Sequence, residues 1–350
     1  MSQTIIIVGA GIAGLSVAHQ LEKQNIPFII IDSGVNHSSR IAAGIINPVV
    51  FRRMALSWRI AELLPAAKSF YAELEQKFNQ KYLYQIPIRR AFAHQQERDL
   101  WEKKLTDSSY DDFLKPISEE DLDNKTISNT CGTGVVKESY WIDTKLLLDD
   151  WHQDLKKQGK LINENFDYQE INPEKNIYKT YSYSKIIFCE GYHGLENPYF
   201  NYLPLQATKG ELLTVKNTFL AENESYNYKC FVLPIGDQQF KVGATYTWNS
   251  PNVELTENAK TELEAHFKNL ISSEYSLVSH EAGVRPTVLD RRPLLGVHPK
   301  NDSLFIYNGL GAKGYLITPK LAEEFVSYLQ GISELDKEVD ISRYADKFIQ

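Results

Sequence analysis

The sequence predicts an α/β fold: a Rossmann-like dinucleotide-binding domain assembled from discontinuous segments, joined to an α+β substrate domain with a mainly antiparallel sheet. Three observations predict it. The chain opens on an apolar run, Thr4 to Val8, that enters Gly9-x-Gly11-x-x-Gly14. A second glycine-rich strand-to-helix turn, Gly309-x-Gly311-x-x-Gly314, follows the buried-strand run Leu304 to Tyr307. Between them, residues 206–248 alternate as antiparallel strands do. The expected division is 1–80, 137–205 and 281–350 for the nucleotide-binding domain, and 81–136 with 206–280 for the substrate domain.

Each part of the first unit has a task when an ADP-containing dinucleotide binds. Gly9 permits a tight turn, Gly11 lacks a Cβ that would block the pyrophosphate, and Gly14 lets the helix pack closely on the strand. The helix N-terminus offers unpaired N–H groups and a positive dipole end to phosphates. A second apolar run, Phe28 to Ile31, ends on Asp32, a carboxylate suited to the adenosine ribose hydroxyls. The plain alternative is an ordinary βαβ turn.

The following elements read in order. Ile60, Leu63, Leu64, Ala67, Phe70, Leu74 and Phe78 recur at helical spacing, so a long amphipathic helix is expected over 57–78, bent at Pro65. Short strands and a helix over 95–105 occupy 81–136, and another helix covers 144–158, stopped by Gly159. Lys185 to Cys189 reads as a buried strand closed by Glu190-Gly191. A helix is expected over 256–270, and a last one from Thr318 as N-cap with Pro319 at its first position.

Composition narrows the function. A chain of 350 residues buries a large core, and a net charge of −7 without a lysine- or arginine-rich run argues against nucleic acid or an anionic membrane as partner. The three cysteines, Cys131, Cys189 and Cys230, lie far apart and fit reduced thiols in a cytoplasm. The apolar start lacks a basic leader, and no stretch is as long as a membrane span, so a cytoplasmic protein is expected. No histidine spacing suggests a metal, His193 reads as a solvated loop residue, and no Gly-x-Ser-x-Gly elbow supports hydrolase chemistry.

Two glycine turns and a middle strand ending in Cys189-Glu-Gly191 suit a flavin better than a nicotinamide. A late helix N-terminus aimed at the isoalloxazine would stabilise the negative charge of reduction. The motifs then carry a resemblance. Ala42-Ala43-Gly44 through Pro48, Tyr140 to Thr144, Lys209-Gly210-Glu211, Gly243 to Tyr246, Ala282 to Pro286 with Asp290, Pro293 to Gly296, and Arg343 to Phe348 join the two glycine turns in order. Together they resemble the FAD-dependent D-amino-acid oxidase superfamily, in particular its glycine/sarcosine oxidase-like branch. They also resemble the FAD oxidase domain of the bifunctional enzyme that completes methylaminomethyl-uridine in tRNA.

The resemblance implies FAD held by Gly9, Gly11, Gly14, Asp32, Ala43, Gly44, Gly191, Gly309, Gly311, Lys313 and Gly314. Arg285 would anchor a substrate α-carboxylate through two parallel hydrogen bonds; its plain alternative is an ion pair with Asp290 or Glu281. Lys313 would be a second cation beside the flavin, or else a solvated turn lysine. The branch tends to have an aromatic hydroxyl where this chain has Phe231, so Tyr246 or Trp248 would line the pocket instead, unless they are simply core. Ala282 and Gly283 stand where sarcosine oxidases carry a cysteine for covalent flavin, which implies noncovalent, dissociable FAD. The tRNA-modifying enzyme has arginine at the position of Lys313, and its methyltransferase half is absent.

The expected activity is therefore oxidation of the C–N bond of a small amino acid or secondary amine by hydride transfer to flavin N5. Oxygen or another electron acceptor would reoxidise the flavin. The alternatives are oxidation of an aminomethyl group on modified tRNA, oxidation of a 2-hydroxy acid, and a flavin-binding module without turnover.

Overall fold

The structure is a computed structural model describing residues 4–35, 38–122, 127–128 and 131–348. Thr4–Val8 is a central strand of a parallel sheet covered on both faces, and Ile5 to Val8 are all buried, with no alternation. Its parallel strands lie in the order Leu161–Asn163, Phe28–Asp32, Thr4–Val8, Tyr181–Phe188 and Asn301–Asn308. Leu294–His298 extends this sheet antiparallel to Asn301–Asn308. Strands from the two ends of the chain thus flank the same middle strand, 181–188.

The helices Ile12–Lys23, Ile60–Phe78, Thr144–Lys157 and Gly314–Leu329 share the larger hydrophobic core on one face of the sheet. The first and last pack directly on each other. Pro65 lies inside its helix, which continues through it. Thr144–Lys157 is capped by the Asp143 carboxylate, which accepts from the Leu146 N–H at 3.0 Å, and Gly159 follows its end at φ +67°.

The last helix starts a turn earlier than the sequence predicts, at Gly314 rather than Thr318-Pro319. Pro319 has no N–H for the Tyr315 carbonyl one turn back, but the buried Tyr71 hydroxyl donates to that carbonyl at 2.6 Å. Thr318 is fully buried, and its hydroxyl lies 2.9 Å from the Tyr307 hydroxyl. The Tyr71 bond therefore replaces the one that proline removes, and the Thr-Pro pair is interior rather than a cap.

A second, mainly antiparallel sheet runs Ser276–Val288, Leu205–Lys216, Gln239–Gly243, Phe231–Gly236, Ser225–Asn227, Ile88–Ala91 and Thr133–Val136. Only the Ser225–Asn227 and Ile88–Ala91 pair is parallel. Glu257–Leu270, a helix the sequence predicts over 256–270, packs its apolar side on this sheet and is capped by Thr256. Among the described residues, no helix is long and apolar enough to cross a membrane. Among the described residues no disulfide joins the three cysteines; Cys189 and Cys230 are buried and Cys131 partly so.

Candidate functional site

The N-terminal glycine turn is built by close approach. Gly9 has φ +103°, a backbone state that suits glycine, and its N–H donates to the Ile31 carbonyl at 2.9 Å. A Cβ on Gly14 would sit 2.0 Å from the Gly9 carbonyl oxygen, so only glycine lets the helix start there. Asp32 grips the same turn: its Oδ2 accepts from the Ala10 N–H and its Oδ1 from the Gly34 N–H, both at 2.6 Å. A carboxylate offers about four acceptor directions, so these two bonds leave room for ribose hydroxyls.

Two residues that the sequence reading missed complete the framework. His152, on the helix Thr144–Lys157, places Nε2 2.7 Å from the Ala10 carbonyl. Asn308, at the end of its strand, donates through Nδ2 to the Gly191 carbonyl and accepts from the Gly309 N–H, each at 2.8 Å. One side chain thereby ties the middle strand's exit to the late glycine turn. No local pattern announces either residue, because each acts across more than 100 positions of sequence.

A cavity of about 390 Å³ opens where the two glycine turns meet the second sheet. Among the residues singled out in the sequence, Gly11, Ala43, Gly44 and Gly191 line it from one side. Gly311, Lys313 and Gly314 line it from the other end of the chain, and Tyr246 and Arg285 from the second sheet. Gly9, Gly14, Asp32 and Gly309 stand behind this lining and shape it. Phe231 is a lining residue and packs on Gly243; Trp248 is not, and lies exposed.

Arg285 is held flat. One face of its guanidinium lies on Gly210, where an added Cβ would meet Nη2 at 2.1 Å. The other face carries the Tyr246 ring, 4.2 Å from Cζ to the ring centroid. Its Nη1 donates to the Thr245 carbonyl at 3.3 Å. The ion pair suggested by the sequence is not formed: Asp290 instead engages Arg343 at 3.1 Å and the Tyr344 hydroxyl at 2.6 Å. Among the described residues no carboxylate pairs with Arg285. Burial lowers its pKa from the usual arginine value, opposed by Tyr246. With both faces covered, the guanidinium meets a ligand only along its edge.

Lys313 is the residue just before the last helix. Its Nζ donates to the Ser57 hydroxyl and approaches the Asn47 carbonyl at 3.4 Å, with no acid among its described partners. Burial alone pushes this ammonium down to about 8. It is not a solvated turn lysine. His193 is half-buried rather than solvated, its ring tilted against that of Tyr192 at 4.1 Å, and is not among the cavity-lining residues.

The model of the DAO family, FAD dependent oxidoreductases, matches residues 4–327, and the chain belongs to that family. It is an FAD-dependent oxidoreductase, and FAD is its cofactor. Glycine oxidase of Bacillus licheniformis is 22% identical over 349 residues, which are 93% of this chain and 92% of that protein. The tRNA 5-methylaminomethyl-2-thiouridine biosynthesis bifunctional protein MnmC of Legionella pneumophila (strain Lens) is 25% identical over 321 residues, 85% of this chain. The match covers 46% of that MnmC, and 25% of the MnmC of Idiomarina loihiensis, so the chain spans half or less of these relatives. Glycine oxidase from Geobacillus kaustophilus shares the fold at a TM-score of 0.82, with 18% identity over 98% of each chain. Iminodiacetate oxidase from Chelativorans sp. BNC1 does so at 0.80, with 18% identity over 97% of this chain and 98% of that one.

Proposed function

We propose that this protein oxidises the C–N bond of a small amino acid or secondary amine that carries a carboxylate. The observation that supports the reading is the Arg285 guanidinium: half-buried, without a carboxylate partner among the described residues, and offering its edge to the cavity shared by both glycine turns. A fork of parallel N–H donors matches a planar carboxylate, and the covered faces reject other approaches.

The residues present fit FAD. The cradle at Gly9 and Gly14, which any Cβ would fill, and the open N-terminus of the helix Ile12–Lys23 would receive the pyrophosphate, with Asp32 at the ribose. Lys313 and the N-terminus of the helix Gly314–Leu329 would face the ring and favour negative charge there. No cysteine stands at 282 or 283, in keeping with noncovalent binding. When bound, FAD supplies a two-electron acceptor for a hydride from the carbon next to nitrogen. The chain's own work is to hold the carboxylate on Arg285, fix the orientation of that carbon, and keep water out beneath the second sheet. On this reading the nucleotide-binding part is 1–80, 137–205 and 281–350, and the remainder covers the substrate.

The visible spectrum of the purified protein tests the flavin, and Arg285→Met tests the anchor. The variant should raise KM for amino acids sharply and leave an amine without a carboxylate unaffected. An unchanged KM for the amino acid removes the anchor role.

A second reading, oxidation of an aminomethyl group on modified tRNA, is favoured by a basic rim. Lys229 lines the cavity and is exposed. Its neighbour Tyr228 is tied through Arg90 to Phe51, next to the exposed Arg52 and Arg53. A salt-sensitive gel shift with tRNA supports this reading, and its absence removes it.

A further inference from the structure

The Lys209-Gly210-Glu211 run has consequences on both faces of its strand. Side chains alternate, so Gly210 lies under Arg285 on the cavity face, while Lys209 and Glu211 project from the opposite face. Both are almost completely buried there, at 4% and 1% exposure. Neither touches the cavity.

Their contacts converge on one segment, residues 244–256. On the side of the strand away from Ser276–Val288, Gly243 pairs with Leu212 and Thr247 with Lys209, so the chain between them leaves the ladder. Glu211 bridges the gap with its backbone: its N–H donates to the Thr245 hydroxyl at 2.9 Å, and its carbonyl accepts from the Thr245 N–H at 3.1 Å. The next carbonyl contact belongs to the site, because Thr245 O accepts from Arg285 and the following ring, Tyr246, covers the guanidinium.

The Glu211 carboxylate fastens the other end. Oε2 accepts from the Thr256 N–H and Oε1 from the Thr256 hydroxyl, both at 2.9 Å. Lys209 Nζ lies 3.3 Å from Oε1 and donates to the Glu254 carbonyl at 2.8 Å. His280 Nε2 sits 2.9 Å from Oε2, off the line of a hydrogen bond. Between the two fastenings the segment is exposed, Tyr246 at 57% and Trp248 at 56%. Apart from the Thr247–Trp248 pairing and the Ser250 N–H bond to the Ala207 carbonyl at 3.2 Å, it has little packing of its own to hold its shape.

We propose that Glu211, with Lys209, is a positioning residue: it clamps both ends of 244–256 so that Thr245 and Tyr246 hold the Arg285 guanidinium flat and edge-on to the cavity. The role rests on the reading of Arg285 as carboxylate anchor. It explains why two buried charges lie directly behind a glycine whose single task is to let that guanidinium approach.

The test uses the FAD-loaded protein and acetate as the probe, titrated by the change it causes in the flavin absorption spectrum. Glu211→Ala is expected to raise the acetate Kd about tenfold, the value of a lost charged hydrogen bond transmitted to the site. Amide hydrogen exchange of the peptide 244–256 should quicken in the same variant while the parallel sheet stays protected. In an Arg285→Met background Glu211→Ala should add nothing to the acetate Kd. Unchanged exchange in 244–256, or an equal rise in Kd without Arg285, overturns the proposal. An unchanged acetate Kd in Glu211→Ala, where Arg285→Met has raised it, overturns this proposal alone. An unchanged Kd in Arg285→Met overturns the anchor reading and this proposal with it. Should Glu211→Ala not fold, Thr256→Val removes one bond of the clamp from the other side; it should raise the Kd about threefold under the same criteria.

Discussion

Gly210→Ala separates the geometry of Arg285 from its charge. The added methyl would lie 2.1 Å from Nη2 and 2.4 Å from both Nη1 and Cζ, against an ordinary contact of 3.4 Å or more. The guanidinium must therefore retreat by roughly 1.3 Å, the difference between 3.4 and 2.1 Å. These nearest atoms are the end of a flexible side chain, so the arginine moves and the strand stays. Gly210 does not occupy the positive-φ region, and alanine in a strand is favoured over glycine by about 0.5–1 kcal/mol, so the fold should be as stable or slightly more so. A shift of this size removes one arm of a two-armed carboxylate contact, about 2 kcal/mol, or roughly thirtyfold in affinity. Flavin difference spectra titrated with acetate measure the loss directly, and thermal melting checks that the fold is intact. An acetate Kd within threefold of wild type in a fully folded variant refutes the edge-on anchor.

Tyr71→Phe should cost about 2 kcal/mol in urea unfolding, because the Tyr315 carbonyl that Pro319 leaves open becomes a buried acceptor without a donor. Glu190 gives a pH dependence. Burial pushes its carboxyl up to about 7 against the opposing hydrogen bonds of Asn197 and Tyr168, so the native state holds a proton that the unfolded chain releases near 4.5. Its contribution is fully present below pH 4.5 and is lost as pH rises through 7, by about 3 kcal/mol in all; in Glu190→Gln that slope should disappear from urea titrations across this range. For Lys313 the effect expected is on ligand affinity: its cation is present below about 8 and lost above, so acetate binding should weaken as pH rises through 8. Lys313→Met should flatten that profile, and a profile unchanged by the substitution removes Lys313 from the site.

What the sequence discloses depends on whether a residue acts locally. Gly9, Gly14 and Asp32 form one continuous unit with its own spacing, and the structure places each where that spacing requires. The strands expected over 206–248 do form the second sheet, although Leu205–Lys216 is buried almost throughout rather than on one face. Thr318-Pro319 misleads for the complementary reason. A local rule makes it a helix start, but the Tyr71 hydroxyl, distant in sequence, bonds the carbonyl that an interior proline leaves open, while Tyr307 engages Thr318 inside the core. Arg285 is legible as a candidate from its motif; its lack of an ion pair is not, because Asp290 has other partners supplied by Arg343 and Tyr344. His152 and Asn308 are invisible to any local rule, since each works through a single long-range bond to a backbone carbonyl or turn.

The neighbouring strands Thr4–Val8, Tyr181–Phe188 and Asn301–Asn308 also set a timetable. A ribosome that has made the first three hundred residues has not yet produced the last part of the cleft, because Gly311, Lys313 and Gly314 are still to come. On the proposed reading, coenzyme capture then waits until this late glycine turn has joined the first one. Progressive deletion from the carboxyl side should abolish yellow colour abruptly once the helix Gly314–Leu329 is lost, rather than fading in proportion to length.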